Sequence, residues 1–297
     1  NGTEIIVDGG FSNFKKIEKI EKMEKRILEN CPMCRSNRHK DWVKIDQKGF
    51  HTVKCDECSL VYVKNPPTKK ALDLYYSNYL NDVHQNNSDL VSKREKMYQL
   101  EINFLLNYKK SGSVLDVGCS GGNFLNHFSR NGFECHGVEY GDAAFSAASS
   151  NYKLYFGELP DINIEHKYDI IIFRGVIEHL VNPTDYFDKA KSLLKKDGII
   201  FISATPNRDS ATFDLFKEDW NMHYPHEHLI HFNSKDLVDY FSNKGLKYFS
   251  EKSFYLESPY VDFKNDLKLV LEKKSNPKSS VVCPPFFDNM MTLVLGF

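Results

Sequence analysis

Four of the seven cysteines fall as Cys31-Pro-Met-Cys34 and Cys55-Asp-Glu-Cys58, two C-x2-C pairs with twenty residues between them. Two-residue spacing lets both thiolates of a pair reach one ion, and two such pairs complete a tetrahedral all-sulfur site, the donor set that favours Zn2+. Four thiolates leave no open position for a reactant, so the expected role is structural. Cys119, Cys135 and Cys283 are scattered and read as small core or loop residues. A second chemistry is written in Val114-Leu-Asp-Val-Gly-Cys-Ser-Gly-Gly122, an apolar strand running into a glycine-rich turn and then a helical stretch, Asn123–Arg130. Gly118 permits a tight turn after the strand that carries Asp116, and Gly122, after Cys119, lets a ligand approach backbone N–H groups at a helix N-terminus. Glu139 closes the next predicted strand, 23 residues beyond Asp116. An acid there can accept both ribose hydroxyls of an adenosine cofactor. A third set is rich in imidazoles: His179, and His226, Glu227, His228 and His231 within PHEHLIHF. Histidine with an ordinary pKa of about 6.5, or a carboxylate raised towards neutrality, can take a proton. The plainer reading is that these side chains cap helices or line a pocket. A zinc site from His226, Glu227 and His228 is not expected, since an extended H-E-H splays alternate side chains.

These groups need elements to hold them. From Ser113 onward, short apolar runs (114–118, 135–140, 153–157, 168–173 and 198–204) alternate with helical patterns near 121–131, 142–150, 183–195 and 234–245. Strands separated by helices of that length imply βαβ crossovers and a parallel, doubly wound α/β sheet. Its carboxyl edge is where such sheets bind ligands, and it is where the glycine turn, Glu139, His179 and PHEH fall. Leu246–Tyr255 and Met290–Phe297 read as two further strands joined by a long connection. Residues 13–29 alternate Lys and Glu with apolar positions and suit a solvated linker helix. The expected organisation is a tail and linker helix (1–30), a zinc ribbon (31–67), a helical spacer (68–110) marked by Leu72, Tyr75, Tyr76 and Tyr79, and an α/β domain (111–297).

Composition bounds the class. With 41% apolar and 27% charged residues in a chain of 297, a sizeable core is affordable, and neither a fibre nor a disordered chain fits. The net charge is −1, with 15 Lys+Arg against 10 Asp+Glu in residues 1–70 and the acidic excess in the remainder, which argues against a dedicated nucleic-acid or polybasic membrane-surface protein. No apolar run reaches the roughly 18 residues of a membrane span, and none resembles a secretory signal, so a cytoplasmic location is expected. The chain opens on Asn1, which suggests a trimmed or partial chain.

The D-x-G-x-x-x-G turn, with its strand-terminal Asp116, resembles motif I of the class I S-adenosylmethionine-dependent methyltransferases, and the resemblance extends from about Val114 to the end of the chain. It implies a seven-stranded Rossmann-like sheet, S-adenosylmethionine as cofactor, Glu139 on the ribose, and an adenine contact at Glu158 after the third strand. The segment 168–183 resembles the family's fourth strand and its E-H-L-x-x-P stretch. A four-cysteine module, an aromatic spacer and this domain together resemble bacterial sugar methyltransferases of cell-surface polysaccharide and antibiotic biosynthesis. That likeness implies a sugar or nucleotide-sugar acceptor in surface-glycan biosynthesis, with His179, Glu227 and His228 as acid/base residues. Pro225 stands where the deoxysugar C-methyltransferases have Tyr, and their large C-terminal domain has no counterpart here, so O-methyl transfer is expected. Two other readings stay open: an rRNA base methyltransferase with a zinc knuckle, and a non-catalytic binding subunit with the same fold. Gly2–Phe11 resembles the closing segment of short-chain dehydrogenases, which implies such a domain fused or encoded upstream; a chance strand-turn sequence is the alternative.

Overall fold

The computed structural model describes residues 22–44, 46, 48–77, 88–141, 145, 146, 152–285 and 287–297. The dehydrogenase-like Gly2–Phe11, Tyr79 and most of the expected helix 142–150 lie outside them. The central sheet is built from β4 (Ser113–Val117), β5 (Glu134–Glu139), β6 (Lys153–Phe156), β7 (Tyr168–Arg174), β8 (Leu194–Pro206), β10 (Lys247–Lys252) and β11 (Met290–Gly296). Its order is β10-β11-β8-β7-β4-β5-β6, parallel except for β11, which runs antiparallel between β8 and β10. The middle strands are apolar throughout because both faces are covered. Their side chains alternate with period two: Leu115, Val117, Ile171, Phe173, Ile200 and Ile202 point into one core, and Val114, Ile170, Ile172, Ile199 and Phe201 into the other.

Each core is closed by helices. Tyr98, Ile102 and Leu105 of α2 (Ser88–Leu105) and Phe124, Leu125 and Phe128 of α3 (Asn123–Arg130) cover one face. Phe187, Ala190 and Leu193 of α4 (Pro183–Leu193) and Leu237 and Phe241 of α6 (Ser234–Asn243) cover the other. Asn233 caps α6 through a reciprocal pair with Asp236. The spacer contains α1 (Lys69–Ser77) as well as α2. The fold is thus a three-layer, doubly wound α/β domain with a small N-terminal module.

That module is an antiparallel sheet of β1 (His39–Val43), β2 (Thr52–Cys55) and β3 (Val61–Val63), extended by β9 (Ile230–His231) from the α/β domain. Its two cysteine turns repeat one geometry. Cys31 N–H donates to Ser36 O and Arg35 N–H to Cys31 O at 2.8 and 3.1 Å; Cys55 N–H and Ser59 N–H do the same to Leu60 O and Cys55 O at 2.8 and 3.1 Å. Arg35 and Ser59 both take the left-handed conformation, φ 65° and 63°.

One expectation is corrected. Residues 22–29 are not helical: Arg26 N–H donates to Pro66 O and Leu28 N–H to Lys64 O, both at 2.9 Å, so this stretch runs strand-like beside 64–68. The long connection after β10 contains α7 (Phe263–Ser275); α5 (Phe213–Phe216) is a single turn. Among the described residues no helix is long and apolar enough to cross a membrane.

Candidate active site

The glycine turn lies where β4 ends. Gly118 has φ +72°, and a Cβ there would sit 2.7 Å from Val176 Cγ2, so this position requires glycine on both conformational and steric grounds. Gly122, φ 75°, is the N-cap of α3, which leaves the first helical N–H groups facing the edge. Between them Ser120 takes φ 47°, a left-handed conformation unusual for a side-chain-bearing residue, and donates its N–H to Glu139 Oε2 at 2.9 Å. Glu139 Oε1 accepts from Tyr140 N–H and Gly141 N–H at 2.9 and 2.8 Å. The carboxylate at the end of β5 is therefore 9% exposed and held by three backbone donors, with lone pairs to spare for two hydroxyls.

Cys119 contributes backbone only. Its N–H donates to Val138 O at 3.1 Å, and its thiol is turned into the core beside Gly137, where a Cβ would be 2.5 Å from Cys119 Sγ. Asp116 is buried, which pushes its carboxyl up to about 7 against the pull of Arg174. Arg174 and its partner were not anticipated. At the end of β7, Arg174 grips Glu101 of α2 through Nε at 2.6 Å and a second nitrogen at 3.3 Å, and lies over the rings of Tyr98 and Phe124. Burial lowers the affinity of this guanidinium for its proton, but Glu101, with Tyr98 and Asp116, more than compensates. Glu158, after β6, accepts from Tyr186 OH at 3.1 Å and pairs with Lys69 Nζ of α1 at 2.6 Å, and Lys69 lies 5.6 Å from the centroid of the Tyr140 ring.

The imidazoles gather one strand along. Val176, which touches Gly118, opens the short turn Ile177–His179 after β7. His179 Nδ1 bonds the carbonyl of Glu227 at 3.0 Å, and His228 Nδ1 bonds that of Met222 at 2.7 Å. A carbonyl only accepts, so both Nδ1 atoms carry the proton and both Nε2 atoms carry the lone pair. The rings meet at 4.9 Å, nearly edge to face. Burial, then the potential charge of His228, pushes His179 down to about 3; burial also lowers His228. Beside them Glu178 is 2% exposed, with Oε1 3.9 Å from His179 Nε2, and burial raises its carboxyl to about 8.

Residues 225–227 form a turn rather than the extended loop expected of H-E-H: Glu227 N–H and His228 N–H both donate to Tyr224 O. Glu227 acts on His179 twice: its carbonyl orients the ring at Nδ1, and the charge of its carboxylate opposes the fall in the imidazole's pKa. Although burial opposes ionisation, His226 at 3.2 Å and the hydroxyl of Tyr75 from α1 bring the Glu227 carboxyl down to about 2. Glu178, Tyr75, Arg174 and Glu101 belong to this edge although sequence reasoning did not select them for chemistry. Glu178 adjoins His179, but its burial could not be read locally.

The four cysteines of the module also converge. Their Sγ atoms all lie within 4.8 Å of one another, with Cys31–Cys58 at 3.6 Å and Cys34–Cys55 at 3.5 Å, and none is in a disulfide.

A family model described as a methyltransferase domain matches residues 90–251, more than half of the chain. The protein belongs to that family, and its domain is of the class I, S-adenosylmethionine-dependent kind. A ubiquinone biosynthesis O-methyltransferase of Glaesserella parasuis serovar 5 is 31% identical over 115 residues, covering 34% of this chain and 48% of that one. One of Pelagibacter ubique is 36% identical over 112 residues, covering 35% and 46%. The chain thus spans about half the length of the curated relatives it matches. Among solved structures, magnesium protoporphyrin IX methyltransferase of Synechocystis PCC 6803 with bound SAH has TM-score 0.53 at 13% identity, covering 77% of this chain and 99% of that one. A Haloferax volcanii putative methyltransferase in complex with the Trm112 activator has TM-score 0.54 at 10% identity, covering 74% and 96%. These two share the fold.

Proposed function

We propose that the protein transfers a methyl group from S-adenosylmethionine to a hydroxyl of a small polar acceptor, a sugar or nucleotide-sugar. The observation that carries this reading is the meeting of His179 and His228, both with Nε2 lone pairs, beside a turn whose Val176 touches the cofactor loop at Gly118. The cofactor residues fit the donor: Glu139 accepts the ribose hydroxyls, Asp116 to Gly122 receive the methionine end through backbone N–H groups, and Glu158 meets the adenine edge. When bound, S-adenosylmethionine supplies an electrophilic methyl group on a sulfonium sulfur. His179 or His228 takes the acceptor proton at Nε2. A base of depressed pKa suffices, because the hydroxyl proton becomes strongly acidic as the new O–C bond forms. Glu178 stands next to the imidazolium so created.

A polar acceptor is supported by Tyr75, Glu178, His226, Glu227 and His228, which offer hydroxyl, carboxyl and imidazole groups at this edge. The name of the ubiquinone biosynthesis O-methyltransferases that it resembles favours a second reading, a quinone-precursor hydroxyl. The two are separated by incubating the protein with labelled S-adenosylmethionine and both acceptor classes, followed by mass spectrometry. Methylated sugar nucleotide supports the first reading, and methylation confined to phenols replaces it.

The cysteine module is assigned to structural Zn2+. A tetrahedron with Zn–S bonds of about 2.3 Å has edges of about 3.8 Å, close to the two short Sγ separations, and the repeated turns present the four sulfurs from two sides.

A further inference from the structure

The opposite, amino edge of the sheet carries a second group of ligating side chains that the proposed reaction does not use. Glu134 and His136 stand two residues apart on β5 and so share a face. His166 comes to them from the segment that leads into β7. His136 Nε2 is 3.2 Å from Glu134 Oε1, and His166 Nε2 is 4.0 Å from Glu134 Oε2. The two imidazole rings lie 4.9 Å apart, tilted by 59°. One ligand atom from each of the three residues lies within 4.8 Å of the others. Two features distinguish this from a surface ion pair. His166 Nε2 is buried and has no hydrogen-bond partner, so a polar nitrogen aims into the cluster with nothing to satisfy it. His136, itself buried, has its Nδ1 2.7 Å from Tyr168 OH. A phenol can donate or accept, so Tyr168 can take the Nδ1 proton bond and free the Nε2 lone pair with no movement of heavy atoms, the arrangement found behind metal-bound histidines.

We propose that Glu134, His136 and His166 form a binding site for a transition-metal ion that prefers imidazole, with Zn2+ as the reference ion. A tetrahedral ion with bonds of about 2.0–2.1 Å has ligand edges of about 3.3–3.4 Å; the Glu134–His136 pair already meets this, and the exposed Glu134 side chain can swing to close the His166 distance. Lys153, in register with His136 on β6, adds a positive charge nearby and holds the affinity below that of the cysteine cluster. The bound ion would fasten the end of the Glu158–Lys167 segment, whose other end carries Glu158 at the cofactor edge, to β5.

The test is calorimetric titration of the full chain with Zn2+. Wild type is compared with His136→Gln, His166→Asn, Glu134→Gln and His228→Gln, so that uptake at the cysteines, common to all, cancels. The expected result is that each of the first three variants loses one equivalent or binds it about 10-fold or more weaker, while His228→Gln keeps it. Added Zn2+ should also raise the melting temperature of wild type more than that of His166→Asn. Identical equivalents and affinities in wild type and the Glu134, His136 and His166 variants would overturn the proposal, as would a loss seen only in His228→Gln. Should His136→Gln fail to fold, the exposed Glu134 and partly exposed His166 decide the matter.

Discussion

Glu139 has two tasks for one carboxylate: it ties the loop at Ser120 to the end of β5, and in the proposed reading it also accepts the ribose hydroxyls. Replacing it with Ala removes a charge-assisted acceptor, so S-adenosylmethionine should bind more weakly by about 1.5–3 kcal/mol, read by calorimetry. An unchanged affinity would put the ribose elsewhere. Glu178 offers a test of a different kind. Its carboxyl is raised from 4.5 to about 8, so the folded chain holds a proton that the unfolded chain has released. The stability from that proton is complete below about pH 4.5 and is lost as pH rises through about 8. His179 and His223 work in the opposite sense. They are pushed down to about 3 and about 4 by burial, and they cost stability as pH falls below 6.5. Glu178→Gln removes only the first effect, so its melting temperature should gain on wild type steadily between pH 5 and pH 8. Parallel curves would show that Glu178 is ionised in the native protein. Glu139 was legible because an acid closing the second strand of such a sheet has one recurring position. Glu178 and the Arg174–Glu101 pair were not: the latter are 73 residues apart, and no local pattern announces that a carboxylate will be buried.

At the scale of elements, the middle strands of the central sheet were readable because they are buried on both faces and hence largely apolar. Helix α7 was not, since FKNDLKLVLEKKS buries little apolar surface beyond Val270 and its periodicity is diluted by charge. Residues 22–29 misled for the converse reason: Lys/Glu alternation favours a helix, yet backbone pairing with 64–68 wins. The two-residue β9 could not be seen at all, and it matters most. Through it Val61 and Tyr62 of the cysteine module pair with His231 and Ile230, Val63 N–H bonds Leu229 O at 2.8 Å, and Leu229 N–H bonds Glu178 O at 2.7 Å. The loop bearing His228 is strung between the module and the turn bearing His179. Protein purified without chelator should hold about one zinc on the cysteines. Cys34→Ser, or removal of that ion, should then cut turnover by as much as about 100-fold through misplacement of His228, while affinity for S-adenosylmethionine is kept. Full turnover in metal-free protein would detach the module from the chemistry.

Across the whole molecule, the sheet divides labour between its edges. The carboxyl edge gathers the glycine turn, Glu139 and the His179–His228 pair, drawn from loops after four strands. The meeting of the two histidines follows from the adjacency of β7 and β8, which an order of alternating strands and helices already implies, whereas the turn at 225–227 that leads into His228 is set by packing. That pair is the proposed proton acceptor in methyl transfer. The most direct measurement is kcat together with S-adenosylmethionine affinity for His179→Gln, His228→Gln and the double variant. The predicted result is a fall in kcat of about 100-fold or more with cofactor affinity unchanged. Near-normal turnover in all three variants, or a parallel loss of cofactor affinity and melting temperature, would contradict it.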